Sequence, residues 1–357
     1  MYPLSEGMFA PLNQWYVAAW SSEVTRKPME RWLLDKPLAF YRKQDGGVVA
    51  VDGRCPHRHY PLGKSEVVGD NLQCGYHGLT FNPDGQCVRI PSQQPIPSSC
   101  NIRSYPVAER WQWIWIWMGD PAKCDESLIP DHDAMDLGNP EFDTFPKAYY
   151  LIEGRHMLMH DNLLDLTHLA YLHSKSIGSP EIAEANLERS QTERTLHCRS
   201  VVPVKDLPAY FRRLIDYDGD VDRSWGSNWF APSLHFIYED FQRSANDPQA
   251  PGEMLLRGRI FHAVTPATRH TCHYFFASGR DKSSGEDREA VVAAVRPVLD
   301  EDIFAVVEIE KMVQAAGGNP KDVLLRADAH CVSGRRLMER LIRGDEEPAQ
   351  APSRAEA

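Results

Sequence analysis

Short apolar runs alternate with polar residues through the first 120 residues, and glycine, proline and aspartate separate these runs. In WLLDKPLAFYRKQDGGVVAVDGRCP two such runs flank Asp-Gly-Gly at 45–47, a typical hairpin signal. GLTFNPDGQCVRIP repeats the arrangement around Asp-Gly at 84–85. Tryptophans at 111, 113, 115 and 117 recur at period two in WQWIWIWMGD, which predicts a buried core strand rather than an exposed aromatic platform.

The hydrophobic pattern changes after residue 150, where segments with helical spacing occur in addition to segments that alternate like strands. Residues 156–172 have helical apolar spacing, and residues 224–278 alternate like strands. DEDIFAVVEIEKMVQAAGG predicts a helix with acidic residues at its start and glycines at its end, and SGRRLMERLIRG predicts a closing helix. We therefore expect an α+β protein with an all-β domain over 1–120 and a larger α+β domain over 121–343. The polar end, 344–357, is expected to be disordered.

Composition narrows the classes of function. The formal charge of −11 argues against nucleic acid binding, because phosphates need a basic face. No apolar run approaches the roughly 20 residues that span a bilayer, and the N-terminal residues lack the pattern of a signal peptide. A cytoplasmic protein without a membrane partner is expected. In that compartment the eight cysteines are not expected to form structural disulfides.

Two pairs of cysteine and histidine lie within the first 80 residues. Cys55 and His57 in CPHRHYPLG are two positions apart, so in an extended loop both side chains can point the same way. Cys74 and His77 in CGYHG are three positions apart, a spacing that a tight turn flanked by glycines can bring together. The full motif, C-x-H-x16-C-x2-H, gives each loop one thiolate and one imidazole.

Two kinds of metal fit these four residues. A Cys2His2 set could hold zinc, although zinc fingers normally pair cysteine with cysteine and histidine with histidine. One thiolate and one imidazole per loop better suit a two-iron cluster in which one iron binds both cysteines and the other both histidines, the Rieske arrangement. Arg58 and Tyr76 are candidates for hydrogen-bonding or electrostatic neighbours of such a cluster, or are ordinary residues of the loop surface.

A second group of polar residues lies in DNLLDLTHLAYLHSKSIG. Asn162, Asp165 and His168 recur every three residues, which predicts one shared helix face. His173 follows His168 by five positions, a rotation of about 140° on an ideal helix. Both imidazoles could therefore reach one ion only if a π-bulge or a helix end separates them. The alternative is a polar helix face with two histidines that serve only the structure.

CPHR followed by CGYHG resembles the Rieske domain of aromatic-ring oxygenases, and N-x-x-D-x-x-H-x4-H resembles the mononuclear-iron motif of the Rieske non-haem iron oxygenases. The resemblance implies that the first motif holds a [2Fe-2S] cluster. It also implies that His168 and His173 bind a mononuclear Fe(II) at which dioxygen reacts. Asp165 then corresponds to the carboxylate that links a Rieske histidine of one subunit to an iron histidine of the next, and Asn162 to a polar neighbour of the iron.

The same resemblance implies a third iron ligand, a carboxylate, late in the chain. Relatives often carry it in a Glu-Asp pair, which Asp-Glu-Asp at 300–302 matches at the predicted start of a helix. Asp302 is the predicted ligand, with Asp300 and Glu301 as alternatives. Acidic residues at a helix N-terminus are also favourable through the helix dipole alone, which is the competing interpretation.

NQWYVAAWSSEV, HAVTPATRHTCHYFFASGRD and SGRRLMERLI extend the resemblance over nearly the whole chain, to the vanillate O-demethylase oxygenases and their dicamba and toluenesulfonate relatives. That branch implies a helix-grip catalytic domain with an antiparallel sheet, a homotrimer, and electrons from NAD(P)H through a flavin and iron–sulfur reductase or a ferredoxin. It also implies a monooxygenase of small aromatic acids, with O-demethylation and formaldehyde release as the main expectation. Ring hydroxylation, methyl hydroxylation and arylamine oxidation are the alternatives.

The later strands are expected to build the substrate pocket. His262 matches a position that contacts the substrate carboxylate in a relative, although a core histidine is the competing interpretation. His235 and Asn228 are further candidates. The net charge of −11 does not exclude an anionic substrate, because one positive group in a dry pocket suffices.

Overall fold

The computed structural model describes residues 2–215, 217–281 and 287–346. These residues form strands and α-helices in the order expected for an α+β protein. The strands are β1 (Gln14–Trp20), β2 (Met29–Leu33), β3 (Lys36–Arg42), β4 (Val48–Asp52), β5 (Glu66–Val68), β6 (Asn71–Gln73), β7 (Thr80–Phe81), β8 (Cys87–Arg89), β9 (Ser104–Tyr105), β10 (Val107–Arg110), β11 (Trp113–Met118), β12 (Phe145–Ile152), β13 (Glu188–Gln191), β14 (Thr195–Val204), β15 (Val221–Phe230), β16 (Leu234–Arg243), β17 (Met254–Thr268) and β18 (Thr271–Arg280). The helices are α1 (His156–Leu164), α2 (Ala209–Arg212), α3 (Arg288–Ala315) and α4 (Ala329–Glu346).

Three antiparallel sheets build the N-terminal part of the described chain. Their strand orders are β1-β11-β10, β2-β3-β4-β9 and β5-β6-β7-β8. Both predicted hairpins are confirmed, because β3 pairs with β4 across 45–47 and β7 pairs with β8 across 84–85. The third sheet lies next to the two loops that carry the cysteine and histidine pairs, since the second pair falls between β6 and β7.

The tryptophan-rich strand β11 is buried on both faces, which confirms the prediction of a core strand. Its three indoles face one side and pack with the C-terminal sheet, where Phe261 and Phe275 belong to the same cluster. Its isoleucines and Met118 face the other side and pack with β3. β11 therefore joins the small N-terminal sheets to the larger C-terminal part of the molecule.

One seven-stranded antiparallel sheet dominates the C-terminal part, in the order β12-β18-β17-β16-β15-β14-β13. The strands predicted over 224–278 are β15 to β18 of this sheet. Helices α1 and α3 pack against β12, β17 and β18 through a shared apolar cluster, which includes Leu163, Leu299 and Phe276. The expected antiparallel sheet covered by helices is thus present. None of the described helices is long and apolar enough to cross a lipid bilayer.

The predicted start of the late helix is wrong. Helix α3 begins at Arg288, where the Asp287 carboxylate accepts a hydrogen bond from the backbone N–H of Glu289. Asp-Glu-Asp at 300–302 therefore lies in the middle of a 28-residue helix, and helix-dipole capping does not explain these acids. The buried residues of α3 include Leu299, Asp302 and Val306, so Asp302 sits within the apolar stripe. Two glycines with positive φ follow the helix, as expected.

Helix α1 is shorter than the helical pattern of 156–172. It ends at Leu164, Asp165 has extended backbone angles, and a separate 3-10 helix covers Leu166–Ala170. Asp165 starts this new turn, because its Oδ1 accepts hydrogen bonds from the Thr167 backbone N–H at 3.0 Å and from Thr167 Oγ1 at 2.7 Å. The prediction of one helix face shared by Asn162, Asp165 and His168 is therefore wrong. The end of α1 separates Asn162 from the 3-10 helix that contains His168.

The predicted closing helix is present as α4, and it extends to Glu346. The helix therefore continues three residues into the segment 344–357 that we expected to be disordered. The remaining residues of that segment, 347–357, lie outside the described residues.

Candidate metal centres and substrate cavity

The two loops that carry the cysteine and histidine pairs have the same backbone geometry. In each loop the cysteine carbonyl accepts a hydrogen bond from the N–H four residues later, at 2.9 Å from His59 to Cys55 and at 3.0 Å from Gly78 to Cys74. The cysteine N–H in turn donates to the carbonyl five residues later. His59 and Gly78 both have positive φ at this matching position. The two loops are therefore paired turns that present equivalent side chains to one site.

Thiols and imidazoles lie at different depths in this site. Cys55 and Cys74 are buried, whereas His57 and His77 are exposed, with their ring centroids 4.5 Å apart. Burial raises the pKa of the Cys55 thiol to about 11, and the neighbouring Cys74 thiol adds to this shift. A metal that binds both sulfurs would have to displace these protons. The four side chains thus form an inner sulfur pair and an outer nitrogen pair.

Two separate pairs fit a two-iron cluster better than one zinc ion. A tetrahedral zinc with ligand bonds of about 2.0–2.3 Å would hold all four ligand atoms within about 4 Å of one another. Of the described residues, His168, His173 and Asp302 bring three ligand atoms within 4.8 Å, and the four residues of the two loops do not. The residues fit a cluster in which each iron takes one kind of ligand.

Tyr76 and Arg58 of the paired loops are exposed, and Tyr60 is half-buried. The Tyr76 ring lies 3.9 Å from the His77 ring and 5.9 Å from the Tyr60 ring, measured between centroids. None of the eight cysteines, all within the described ranges, is paired in a disulfide.

The second centre lies where α1 ends. His168 is part of the 3-10 helix that follows α1, and His173 comes after that turn, so both imidazoles face Asp302 on α3. Asp302 Oδ1 lies 3.0 Å from His173 Nε2 and 3.4 Å from His168 Nε2. Two imidazole nitrogens and one carboxylate oxygen form the donor set of a facial triad for non-haem iron.

The nitrogen of each ring that points away from Asp302 also has a partner. His168 Nδ1 lies 2.6 Å from the backbone oxygen of Asp165, and His173 Nδ1 lies 2.7 Å from Glu301 Oε2. Because these oxygens accept hydrogen bonds from Nδ1–H, they favour the tautomers that leave each Nε2 free to bind a metal. The residues therefore fit a mononuclear metal ion.

Asp302 is the acid of the 300–302 group that faces both histidines. Burial alone would raise the pKa of its carboxyl group, but hydrogen bonds from protonated His168 and His173 outweigh this effect and hold the pKa well below its usual range. A bound metal ion would take the place of these Nε2 protons. Asn162 Nδ2 donates to the same carboxylate oxygen at 3.0 Å. The alternatives face elsewhere: Asp300 accepts a hydrogen bond from Tyr150, and Glu301 contacts the far side of His173.

A cavity of about 460 Å³ opens directly on this triad. His168, His173, Asp302 and Asn162 line one part of it. Most of the remaining wall is apolar and comes from α1, α3 and strands β15 to β18, with charged side chains farther along the strands. Apolar pockets with a few placed polar groups are typical of small-molecule sites.

Of the three residues predicted to contact the substrate, His262 lines the cavity and His235 and Asn228 do not. His262 lines the cavity, and its Nδ1 lies 2.6 Å from the Tyr274 hydroxyl. Burial lowers the pKa of His262 to about 4, so the ring is neutral at pH 7. His235 is fully buried and pairs with His160 at 2.8 Å, and Asn228 contacts His197 at 2.7 Å. Neither His235 nor Asn228 is among the described residues that line the cavity.

The sequence did not indicate the roles of three residues in this region. Glu301 was considered only as a substitute ligand, whereas in the structure it contacts a histidine of the triad. Arg223 and Glu239 form a buried ion pair in the cavity wall. The sequence signal for this pair is the alternation of residues along a strand, because every second residue faces the same side. The residues that face the cavity in this way are Arg223 and Trp225 on β15 and Ile237, Glu239 and Phe241 on β16. Asn228 occupies an even position of β15, so it belongs to the opposite face of the strand from Arg223 and Trp225.

Comparison with known proteins agrees with both centres. Residues 14–106 match the family model of the Rieske [2Fe-2S] domain, and residues 152–344 match that of the vanillate O-demethylase oxygenase C-terminal domain. The chain is 34% identical over 343 residues to the iron-sulfur subunit of the toluene-4-sulfonate monooxygenase system of Comamonas testosteroni, covering 93% of this chain and 97% of that protein. It is 34% identical over 340 residues to the oxygenase component of dicamba O-demethylase of Stenotrophomonas maltophilia, covering 92% and 97%.

Solved structures agree as well. A crystal structure of dicamba monooxygenase with non-haem iron and dicamba superposes with a TM-score of 0.76 at 31% identity, covering 94% of this chain and 98% of that one. A Rieske domain followed by a histidine and carboxylate site in a sheet-and-helix domain defines the Rieske non-haem iron monooxygenases. This chain belongs to that class, in the vanillate O-demethylase oxygenase family.

Proposed function

We propose that this chain is the oxygenase component of a multicomponent monooxygenase that removes a methyl group from a methoxylated aromatic acid. The observation that carries the proposal is the His168, His173 and Asp302 triad at one end of an apolar cavity, in a chain that also has a Rieske domain. Bound iron would supply reductive activation of dioxygen at this triad. The other residues hold the substrate beside it and exclude water.

The first centre is proposed to relay electrons one at a time. Cys55 and Cys74 would bind one iron of the [2Fe-2S] cluster, and His57 and His77 the other. His57 and His77 are exposed, so a donor protein or a neighbouring subunit could approach the iron that they would bind. Electrons would come from NAD(P)H through a flavin and iron–sulfur reductase or a ferredoxin, because two relatives are named as components of larger systems.

The overall reaction balances with one dioxygen. The methoxy carbon gains one oxygen atom and becomes a hemiacetal, while two electrons and two protons convert the other oxygen atom to water. The hemiacetal then breaks its carbon–oxygen bond to give a phenol and formaldehyde. His262 is proposed to contact the substrate carboxylate, and its bond to Tyr274 holds the ring in place against the cavity.

O-demethylation follows from the names of the family and of one relative, and a second reaction has its own support. Toluene-4-sulfonate, for which another relative at 34% identity is named, carries a methyl group and no methoxy group. Hydroxylation of an aromatic methyl group is therefore the second candidate. Both reactions need the same triad, so the cavity determines which substrate is oxidised.

Product analysis tests the proposal. The iron-loaded protein, with a generic reductase and NADH, is assayed over matched methoxylated and methylated aromatic acids. We expect formaldehyde in equal amounts to the phenol with the methoxylated compounds. Asp302→Ala and His168→Ala should abolish oxidation and leave the Rieske absorbance unchanged. Turnover in either variant would contradict the assignment of the triad, and benzylic alcohols without formaldehyde would favour the second candidate.

A further inference from the structure

The cavity has two polar ends separated by an apolar middle. Gly258, Ile260 and His262 of β17 all face it, because alternate residues of a strand share one face. His262 lies at the metal end, and Gly258 is four residues away, about 13 Å along the strand. Ile260 and Ile237 are cross-strand neighbours that line the cavity between the two ends. This apolar section suits the ring of an aromatic substrate.

A buried ion pair forms the wall at the far end. Arg223 on β15 donates through Nε to Glu239 Oε1 on β16 at 2.7 Å, and Nη2 donates to the same oxygen. The Arg223 side chain is 1% exposed and the Glu239 side chain 13% exposed. Arg223 Nη1 also donates to the Ile177 backbone oxygen at 3.1 Å, and the guanidinium lies over the Phe211 ring. Glu239 is therefore held in a fixed position.

Glu239 lines the cavity, and the ion pair uses only one of its two carboxylate oxygens. Both donors from Arg223 end on Oε1, and Oε2 has no hydrogen-bond partner among the residues that the structure describes. The Arg223 charge is already balanced by Glu239, so this ion pair does not offer a free cation to an anion. It offers an acceptor of hydrogen bonds with negative character, and such bonds to charged groups are among the stronger ones.

We propose that Glu239 Oε2 binds a hydrogen-bond donor on the end of the substrate that is remote from the oxidised carbon. The donor is a hydroxyl, an amide N–H or an ammonium group. The proposal rests on the proposed function for the position of the oxidised carbon at the triad, and it narrows the substrate class. The substrate is an aromatic compound with a donor group across the ring from the carbon that reacts.

Matched substrate pairs test this proposal on the holoprotein. Each pair consists of a methoxylated aromatic acid with a remote carboxamide or hydroxymethyl group, and its analogue in which each donor hydrogen is replaced by methyl. We expect the donor member to have a kcat/KM about tenfold to a hundredfold higher, the range for a hydrogen bond to a charged group. Dissociation constants from calorimetry with analogues that lack the methoxy group should show the same ratio.

Glu239→Gln provides the sharper test. Gln can still accept from Arg223 through its amide oxygen, and its NH2 group then donates where Glu239 accepted. The substrate preference should therefore reverse. The variant should favour the substrate whose remote group accepts hydrogen bonds and has no donor hydrogen. Glu188→Gln is the matched control, because it removes the same charge from the exposed pair with Arg199, and it should leave the preference unchanged.

The outcomes separate this proposal from the proposed function. Equal binding of donor and methylated analogues by the unsubstituted protein would overturn the role of Glu239, whether or not the variant folds. An unchanged preference in a folded Glu239→Gln protein would do the same. If calorimetry shows the donor preference but no methoxylated compound yields formaldehyde, the Glu239 subsite stands and the proposed reaction fails.

Discussion

Glu301 Oε2 lies 2.7 Å from His173 Nδ1, on the side of the ring opposite to the nitrogen that faces Asp302. Two consecutive residues of α3 thus contact the two nitrogens of one imidazole. Ser176 Oγ donates to the same Glu301 oxygen at 3.0 Å, which fixes the carboxylate. An acceptor behind a metal-binding histidine orients the ring and makes it a better ligand.

Glu301→Ala should therefore weaken iron binding at the triad by about tenfold to a hundredfold, the usual effect of removing such a partner. The measurement is the loss of iron to a chelator, with the Rieske absorbance as an internal reference. Glu301→Gln should retain more iron, because its amide oxygen can still accept from Nδ1. Asp300→Asn is the control, since Asp300 contacts Tyr150 and not the histidine. Unaltered iron retention in Glu301→Ala would show that the contact has no such role.

The parts of the site that depend on local spacing could be predicted from the sequence. Cys55, His57, Cys74 and His77 lie in two short turns with the same backbone geometry, and the spacing alone indicated such turns. The condition that a helix end must separate His168 from His173 also holds in the structure. The spacing could not show that α1 already ends before His168, because Asp165 caps a new turn through its own side chain.

Contacts between distant elements were beyond prediction. The acids at 300–302 resemble the start of a helix, but α3 begins at Arg288. Leu299 and Val306, which are buried on either side of these acids, show that 300–302 lie within the packed part of the helix. His235 shares the strand parity of the cavity residue Ile237, but it lies against His160 of α1. The apolar stripe of α3 did contain a signal, since an acid such as Asp302 within it has to find a polar partner in the core.

Gly178 allows the loop that carries His173 to close on itself. A Cβ at this position would lie 1.8 Å from the Leu169 backbone oxygen and 3.0 Å from that of His173. Gly178→Ala should therefore distort the loop, at a cost of about 1–3 kcal/mol. We expect loss of the mononuclear iron and of turnover, visible as a lower ratio of iron to acid-labile sulfide. Gly344→Ala, which meets nothing within 4 Å, should retain both. A Gly178→Ala protein with full iron content would show that the loop adapts.

Asp165 is predicted to link the two centres between neighbouring subunits of a trimer. Asp165→Asn keeps the oxygen that accepts from Thr167, so the start of the 3-10 turn should survive, while the negative charge is lost. We expect both metal centres to remain loaded and electron transfer between them to stop. Oxidation of the reduced cluster in a single turnover, followed by absorbance, measures this step. Normal cluster oxidation in the variant would rule out the bridging role.

The Arg155–Glu310 ion pair should make the fold sensitive to acid. Arg155 Nε donates to Glu310 Oε2 at 2.6 Å, with both side chains buried. Burial would raise the pKa of Glu310, but hydrogen bonds from Arg155 and Gln314 outweigh this effect and lower it to about 2. Because the folded pKa lies below the unfolded value of about 4.3, the stabilisation is complete above that value. It is lost as pH falls toward about 2.

Glu310→Gln should lower the free energy of unfolding at pH 7 by about 3–5 kcal/mol, because the Arg155 charge stays buried without its partner. The variant should also lose less stability than the unsubstituted protein between pH 4.5 and pH 2, as the titrating carboxyl is gone. Urea unfolding at several pH values measures both effects. Glu308→Gln, which breaks an exposed pair with Lys311, should change neither by more than about 1 kcal/mol. Equal pH dependence in Glu310→Gln and the unsubstituted protein would assign the acid sensitivity to other carboxylates.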